Sequence, residues 1–115
     1  MKGERNPADH IGDILEASAQ ISQFIKGMNL EGFSKDNKTQ FAVIRGLEII
    51  GEAARKVPLT FREKNPDVPW REITGMRDKL IHDYIDVNTQ IVWKTVTEDL
   101  PALELKLRKM LDEPR

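Results

Sequence analysis

Apolar residues return at three- and four-residue steps along most of this chain, and no stretch alternates at the two-residue step of a strand. Ile11, Ile14, Leu15, Ser18, Ile21, Phe24 or Ile25, and Met28 form the first such series. That spacing stacks side chains along one face of an α-helix. Asn6-Pro7-Ala8-Asp9 ahead of it supplies an N-cap, a first-turn proline and an acid beside the positive helix end. Gly27 and Asn29 end it. Glu31 to Lys38, around Gly32 and Phe33, reads as a polar break with room for one short turn. A second long helix is expected from about Asn37 to Val57, stopped by Pro58. Its apolar set (Phe41, Ala42, Ile44, Leu47, Ile49, Ile50, Ala53, Ala54) wraps further round than one stripe. Such a helix is buried between neighbours or lies at a subunit interface.

Thr60 to Asn65 reads as a short helix broken by Pro66, and Pro69-Trp70-Arg71-Glu72-Ile73 opens another that carries through or past Gly75 to about Tyr84. Asp86-Val87-Asn88-Thr89 offers capping groups for a last long helix reaching about Leu111. Ile91, Val92, Val96, Leu100, Leu103, Leu107 and Met110 or Leu111 form its apolar side. Pro101 falls inside this run and should kink the helix or split it at Leu100, because proline lacks the amide hydrogen of the helical ladder. The expected architecture is all-α: an antiparallel four-helix bundle with one or two short extra helices, built as a single domain over residues 1–115.

Composition narrows the functions open to such a bundle. The formal net charge is −1, with 32% charged and 39% hydrophobic residues, so a nucleic-acid site must be a local patch. The absence of cysteine excludes disulfides, thiolate chemistry and Cys-based zinc sites. No cofactor or metal site is indicated. The N-terminus lacks an apolar leader segment and no apolar run reaches the ~18 residues of a membrane span, so the expectation is a cytoplasmic protein without membrane association.

Chemistry concentrates in Arg77-Asp78-Lys79-Leu80-Ile81-His82-Asp83-Tyr84. An imidazole can move a proton near neutral pH, and a guanidinium can hold a phosphate through paired hydrogen bonds. At about 100° per residue, Asp78 lies about 100° round the helix from Arg77, His82 about 140°, and Tyr84 within about 20° of Arg77. Asp78 and His82 are therefore i,i+4 neighbours, and a carboxylate beside an imidazole orients the ring and favours its charged form. Arg77 and Tyr84 form a second row. The two rows converge through the long arginine side chain, through a bend at the helix end, or across a dimer.

Arg-x4-His-x-Tyr, here Arg77, His82 and Tyr84, resembles the signature of the HepT-like toxins, a branch of the HEPN ribonuclease superfamily. The resemblance spans nearly the whole chain. Residues 45–54, the approach Val68-Pro69-Trp70-Arg71-Glu72-Ile73 with Gly75-Met76-Arg77, and the pieces Ile91-Val92-Trp93 and Asp99-Leu100-Pro101 are all similar to the family's pattern. It implies the toxin of a type VII toxin–antitoxin system: a metal-independent endoribonuclease that dimerises so that two motifs face one cleft. It implies further that His82 is the general acid/base and Arg77 the group that stabilises charge on phosphorus, with Asp78 supporting. In some family pairs a nucleotidyltransferase antitoxin transfers AMP onto the motif tyrosine, here Tyr84. Two positions depart from the pattern: Asp78 stands where asparagine is common, and Gly46 where a polar residue is common. An extra carboxylate near an RNA phosphate is repulsive, whereas Gly46 reads as packing. The alternatives are a non-catalytic HEPN scaffold or docking partner for a nucleotidyltransferase, and a protein whose main event is modification of Tyr84.

Other residues read more plainly. His10, with Asp9 and Asp13 nearby, is expected to be a solvated surface histidine rather than a ligand or second base. Glu48 and Glu52 are expected to pair with Arg45 or Arg55 rather than bind metal. Trp70 and Trp93 suit core or interface anchoring better than base stacking. Arg62, Lys64, Arg71 and Lys79 could edge an RNA cleft, though each alone reads as a solvated charge. Gly51 suits a close helix approach.

Overall fold

A computed structural model describes residues 6–75 and 88–112. Helix α1 spans Pro7–Phe24, α2 Leu30–Ser34, α3 Asn37–Arg55 and α4 Leu59–Glu63. Residues 70–75 open a further helix, α5. The C-terminal helix is α6 (Thr89–Lys94), a π-helical turn (Thr95–Asp99) and α7 (Leu100–Asp112). No strand occurs among the described residues. The fold is the expected all-α antiparallel bundle. The continuation of α5 expected to about Tyr84 falls on residues outside the described ones.

Each long helix starts on a side-chain cap. The Asn6 side-chain Oδ1 accepts from the Asp9 amide at 3.1 Å, and Asn88 Oδ1 accepts from the Gln90 and Ile91 amides at 3.0 and 3.3 Å. Asp36 caps α3, accepting from the Thr39 amide at 3.0 Å and its hydroxyl at 2.7 Å. These bonds, the backbone one first, hold the Asp36 carboxyl below the ordinary carboxylate range, because they favour its charged form. Gly27 sits at φ 80° just past α1 and lets the chain turn where a side chain would strain it.

The core runs between α1 and α3 and is closed by α6 and α7. Ile11, Ile14, Ile21, Val43, Leu47, Ile50, Val92, Leu100 and Leu107 are all buried in it. The two helices leave no room for a side chain at Gly46: a Cβ there would sit 2.7 Å from Cγ1 and 2.8 Å from Cδ1 of Ile21. Ile21 is fully buried, so α1 occupies the space that a side chain at position 46 would need. The packing role expected for Gly46 is the one observed, and Gly51 is buried on the same helix.

The short turn allowed for within 31–38 is α2, but Phe33, read as part of a polar break, is fully buried, with its ring 5.3 Å from that of Trp93. A five-residue helix shows no periodicity, so only the tertiary contact reveals Phe33 as core. Phe41, counted in the apolar set of α3, is 62% exposed, and Ile91, counted in that of the last helix, is 45% exposed. At the end of α1 it is Ile25 rather than Phe24 that packs on the core. Pro101 does split the last helix at Leu100, through a π-turn rather than a break. The Leu100 amide donates to the Thr95 carbonyl, five residues back. Thr95 and Thr97 hydroxyls donate to the carbonyls of Ile91 and Trp93 at 2.9 and 2.7 Å, supporting the turn from outside.

The Gly46–Ile21 contact predicts non-additive stabilities. Gly46→Ala should cost about 1–2 kcal/mol in urea unfolding despite alanine's better helix propensity, because overpacking outweighs it. In an Ile21→Ala background the same change should cost nothing further. Equal costs in both backgrounds would contradict the contact.

Candidate active site

The motif residues Arg77, Asp78, His82 and Tyr84, with Lys79, lie outside the described residues. What the structure gives is the frame at either end of the segment that carries them. On the entry side, Trp70 and Ile73 of α5 are buried. The Trp70 indole N–H donates to the Asn65 carbonyl at 2.9 Å, so this ring anchors the helix start rather than offering a face to a base. One turn on, Arg55 at the end of α3 donates from Nη2 to the Thr74 carbonyl at 3.0 Å. Arg71, expected as a possible RNA contact, is exposed on this helix.

On the exit side, Asn88 caps α6 and Val92 is buried. The Thr89 and Ser34 hydroxyls lie 3.3 Å apart, and Trp93 packs on Phe33. The described residues on either side of the motif segment are thus fastened to the bundle, those before it to α3 and the loop before α5, those after it to α2.

Several candidates outside the motif resolve into structural roles. Arg62 is not an RNA edge. Its Nε donates to the Val57 carbonyl at 2.9 Å and its Nη2 to the Arg55 carbonyl at 2.8 Å. The guanidinium fork thereby satisfies carbonyls left open at the end of α3. Arg45 Nη1 lies 3.5 Å from Glu48 Oε1 and 3.6 Å from Glu52 Oε1, so the acidic pair has the arginine partner expected of it. Among the described residues no group of three or more His, Asp or Glu side chains could hold a metal.

His10 corrects its expectation. Although Asp9 and Asp13 flank it, His10 is only 9% exposed, because position 10 shares the inward stripe of α1 with Ile14 and Ile21. Its Nδ1 and the hydroxyl of buried Ser18 have no hydrogen-bond partner among the described residues. Lys64 is exposed, as expected, but lines a cleft with Lys106 and Lys109, which sequence reasoning did not single out. The only signal for those two was their i,i+3 spacing, which is common on any solvated helix face.

The comparisons with known proteins follow the same outline. A family model described as ribonuclease HepT-like matches residues 14–110, across the core helices and the motif segment between them. A protein of Thermococcus cleftensis named "Probable ribonuclease HepT" is 49% identical over 107 residues, covering 93% of this chain and 97% of its own length. A "Putative RNase" of Caldanaerobacter subterraneus subsp. tengcongensis is 41% identical over 111 residues, covering 96% and 99%. Another, from Methanocaldococcus jannaschii, is 42% identical over 101 residues, covering 88% and 84%. No solved structure matches the chain at a significant level. With most of its core and the whole motif segment inside the matched span, the chain belongs to the ribonuclease HepT-like family.

Proposed function

We propose that this protein is a metal-independent endoribonuclease whose active groups are Arg77 and His82, and that it acts as the toxin of a toxin–antitoxin pair. The observation that carries this reading is a family match over residues 14–110, a span that includes the Arg77-x4-His82-x-Tyr84 spacing. A bundle kept only for docking has no chemical reason to retain an arginine, a histidine and a tyrosine at that spacing.

The chemistry follows from the residue types. An imidazole at His82 accepts the proton of a ribose 2′-hydroxyl, and the oxygen attacks the adjacent phosphorus. The bond to the 5′-oxygen breaks, an imidazolium returns a proton to that oxygen, and one fragment ends in a 2′,3′-cyclic phosphate. Arg77 offers two parallel N–H donors to the phosphoryl oxygens as charge builds on them. Asp78, four residues before His82, favours the imidazolium but repels the phosphate, which suits it to support rather than to the reacting atoms. In a homodimer with two motifs facing one cleft, one imidazole serves as base and the other as acid.

Regulation fits the third motif residue. The Tyr84 phenol is a nucleophile for the α-phosphorus of ATP held by a nucleotidyltransferase antitoxin. Attack forms a tyrosyl–AMP ester and releases pyrophosphate. The added anion then occupies the space that the RNA phosphate needs.

Incubation of the purified protein with a structured RNA in the presence of EDTA tests the catalytic reading. Cleavage should persist in EDTA, fall by roughly 10²–10⁴ in His82→Ala, and fall comparably in Arg77→Ala. No cleavage, or cleavage that survives both substitutions, would leave the docking scaffold as the better reading. Mass spectrometry after incubation with the neighbouring gene's product and ATP should find one AMP on Tyr84. An unmodified tyrosine under those conditions would count against the regulatory half.

A further inference from the structure

The chain between α4 and α5 and the outer face of α7 enclose a cleft of about 510 Å³ lined by Lys64, Asn65, Pro66, Asp67, Val68, Lys106, Lys109 and Met110. Three lysines face one aspartate there, in a protein whose net charge is −1. Lys64, Lys106 and Lys109 are exposed, and none enters an ion pair among the described residues. This contrasts with Arg45 and Arg108, which lie beside glutamates. Lys106 also borders the next depression along α7, where Glu72 and Asp99 sit, so the cationic end of the cleft is that of Lys64 and Lys109.

The cleft is built rather than incidental. Asn65 is held by its side-chain bond to the Phe61 carbonyl at 3.0 Å and by the Trp70 indole on its own carbonyl. Val68 and Met110 are buried at its floor. Lys106 and Lys109 stand one turn apart on α7, above buried Leu103 and Leu107. None of the large exposed hydrophobic residues lines it. A protein interface wants an apolar anchor, whereas a nucleic-acid backbone needs only spaced cations in a groove. Lysines, as flexible point charges, suit phosphates of variable spacing and carry no base preference. The wall that ends at Val68 leads directly into α5 and, two residues past its described end at 75, to Arg77.

We infer that this cleft is an RNA backbone site outside the motif, with Lys64, Lys106 and Lys109 holding phosphates of the strand whose cleavage Arg77 and His82 perform. The inference rests on the ribonuclease reading for the identity of its ligand, but it is tested by binding alone. A His82→Ala background keeps the probe intact, and fluorescence anisotropy with a labelled single-stranded RNA of about 16 nucleotides, from 0.05 to 0.3 M KCl, reads affinity and salt dependence. Adding Lys64→Gln, Lys106→Gln and Lys109→Gln should weaken binding about tenfold or more and flatten the plot of log K against log salt by about 2, roughly 0.7 per phosphate released. Lys64→Gln and Lys109→Gln alone should each give part of that loss, with melting temperatures unchanged.

Unchanged affinity and slope would overturn the inference. So would an equal loss from neutralising Lys26, Lys38 and Lys94, exposed lysines elsewhere, since that would mark a net-charge effect. Polyglutamate bound more tightly than RNA through the same three lysines would assign the cleft to an acidic protein and overturn it too. Lysine-dependent RNA binding by a protein that cuts no RNA would sink the ribonuclease reading and leave the cleft standing.

Discussion

The bundle depends on one close approach, that of α1 to α3 where Ile21 fills the space beside Gly46. Helices that pack this tightly fix each other's position along and around their axes, since side chains from one must interlock with those of the other. From α3 outward the order passes by hydrogen bonds rather than by packing alone. Arg62 closes the end of α3 from α4, and Arg55 reaches from that same end to the Thr74 carbonyl of α5. The start of α5 is thereby set by the register of the two longest helices. A substitution that loosened the Gly46 contact would act on the motif through α5, far from any reacting atom.

Much of this was legible in the residues, and what was not has a physical reason. Asn6, Pro58 and Pro101 mark boundaries because each changes the backbone's hydrogen-bonding supply at one position, and such effects are local. The buried stripe of α1 was equally readable, and His10 lies on it. Its neighbours Asp9 and Asp13 suggested solvent, but the direction in which a helical side chain points is set by its own position and not by theirs. Phe33 could not be read. Its burial is created by Trp93, sixty residues later, and a single turn carries no periodicity of its own.

The same distinction divides the candidate site. Arg77, His82 and Tyr84 stand within eight residues, so their spacing along the chain is a property of the sequence. The cleft of Lys64, Lys106 and Lys109 exists only because the loop after α4 folds against α7. Arg62 and Lys64 look alike in the sequence, two cations two residues apart. The structure spends the first on helix carbonyls and leaves the second in the cleft. The net charge of −1 conceals this, because a total says nothing of where the cations gather.

The central claim is that the chain cuts RNA by means of the ribose 2′-hydroxyl next to the broken bond. A synthetic RNA carrying one 2′-deoxyribose at a mapped cleavage position tests it most directly. Cleavage at that position should disappear while neighbouring positions are still cut, and the unmodified RNA should yield fragments ending in 2′,3′-cyclic phosphate. Undiminished cleavage at the deoxyribose would contradict the account.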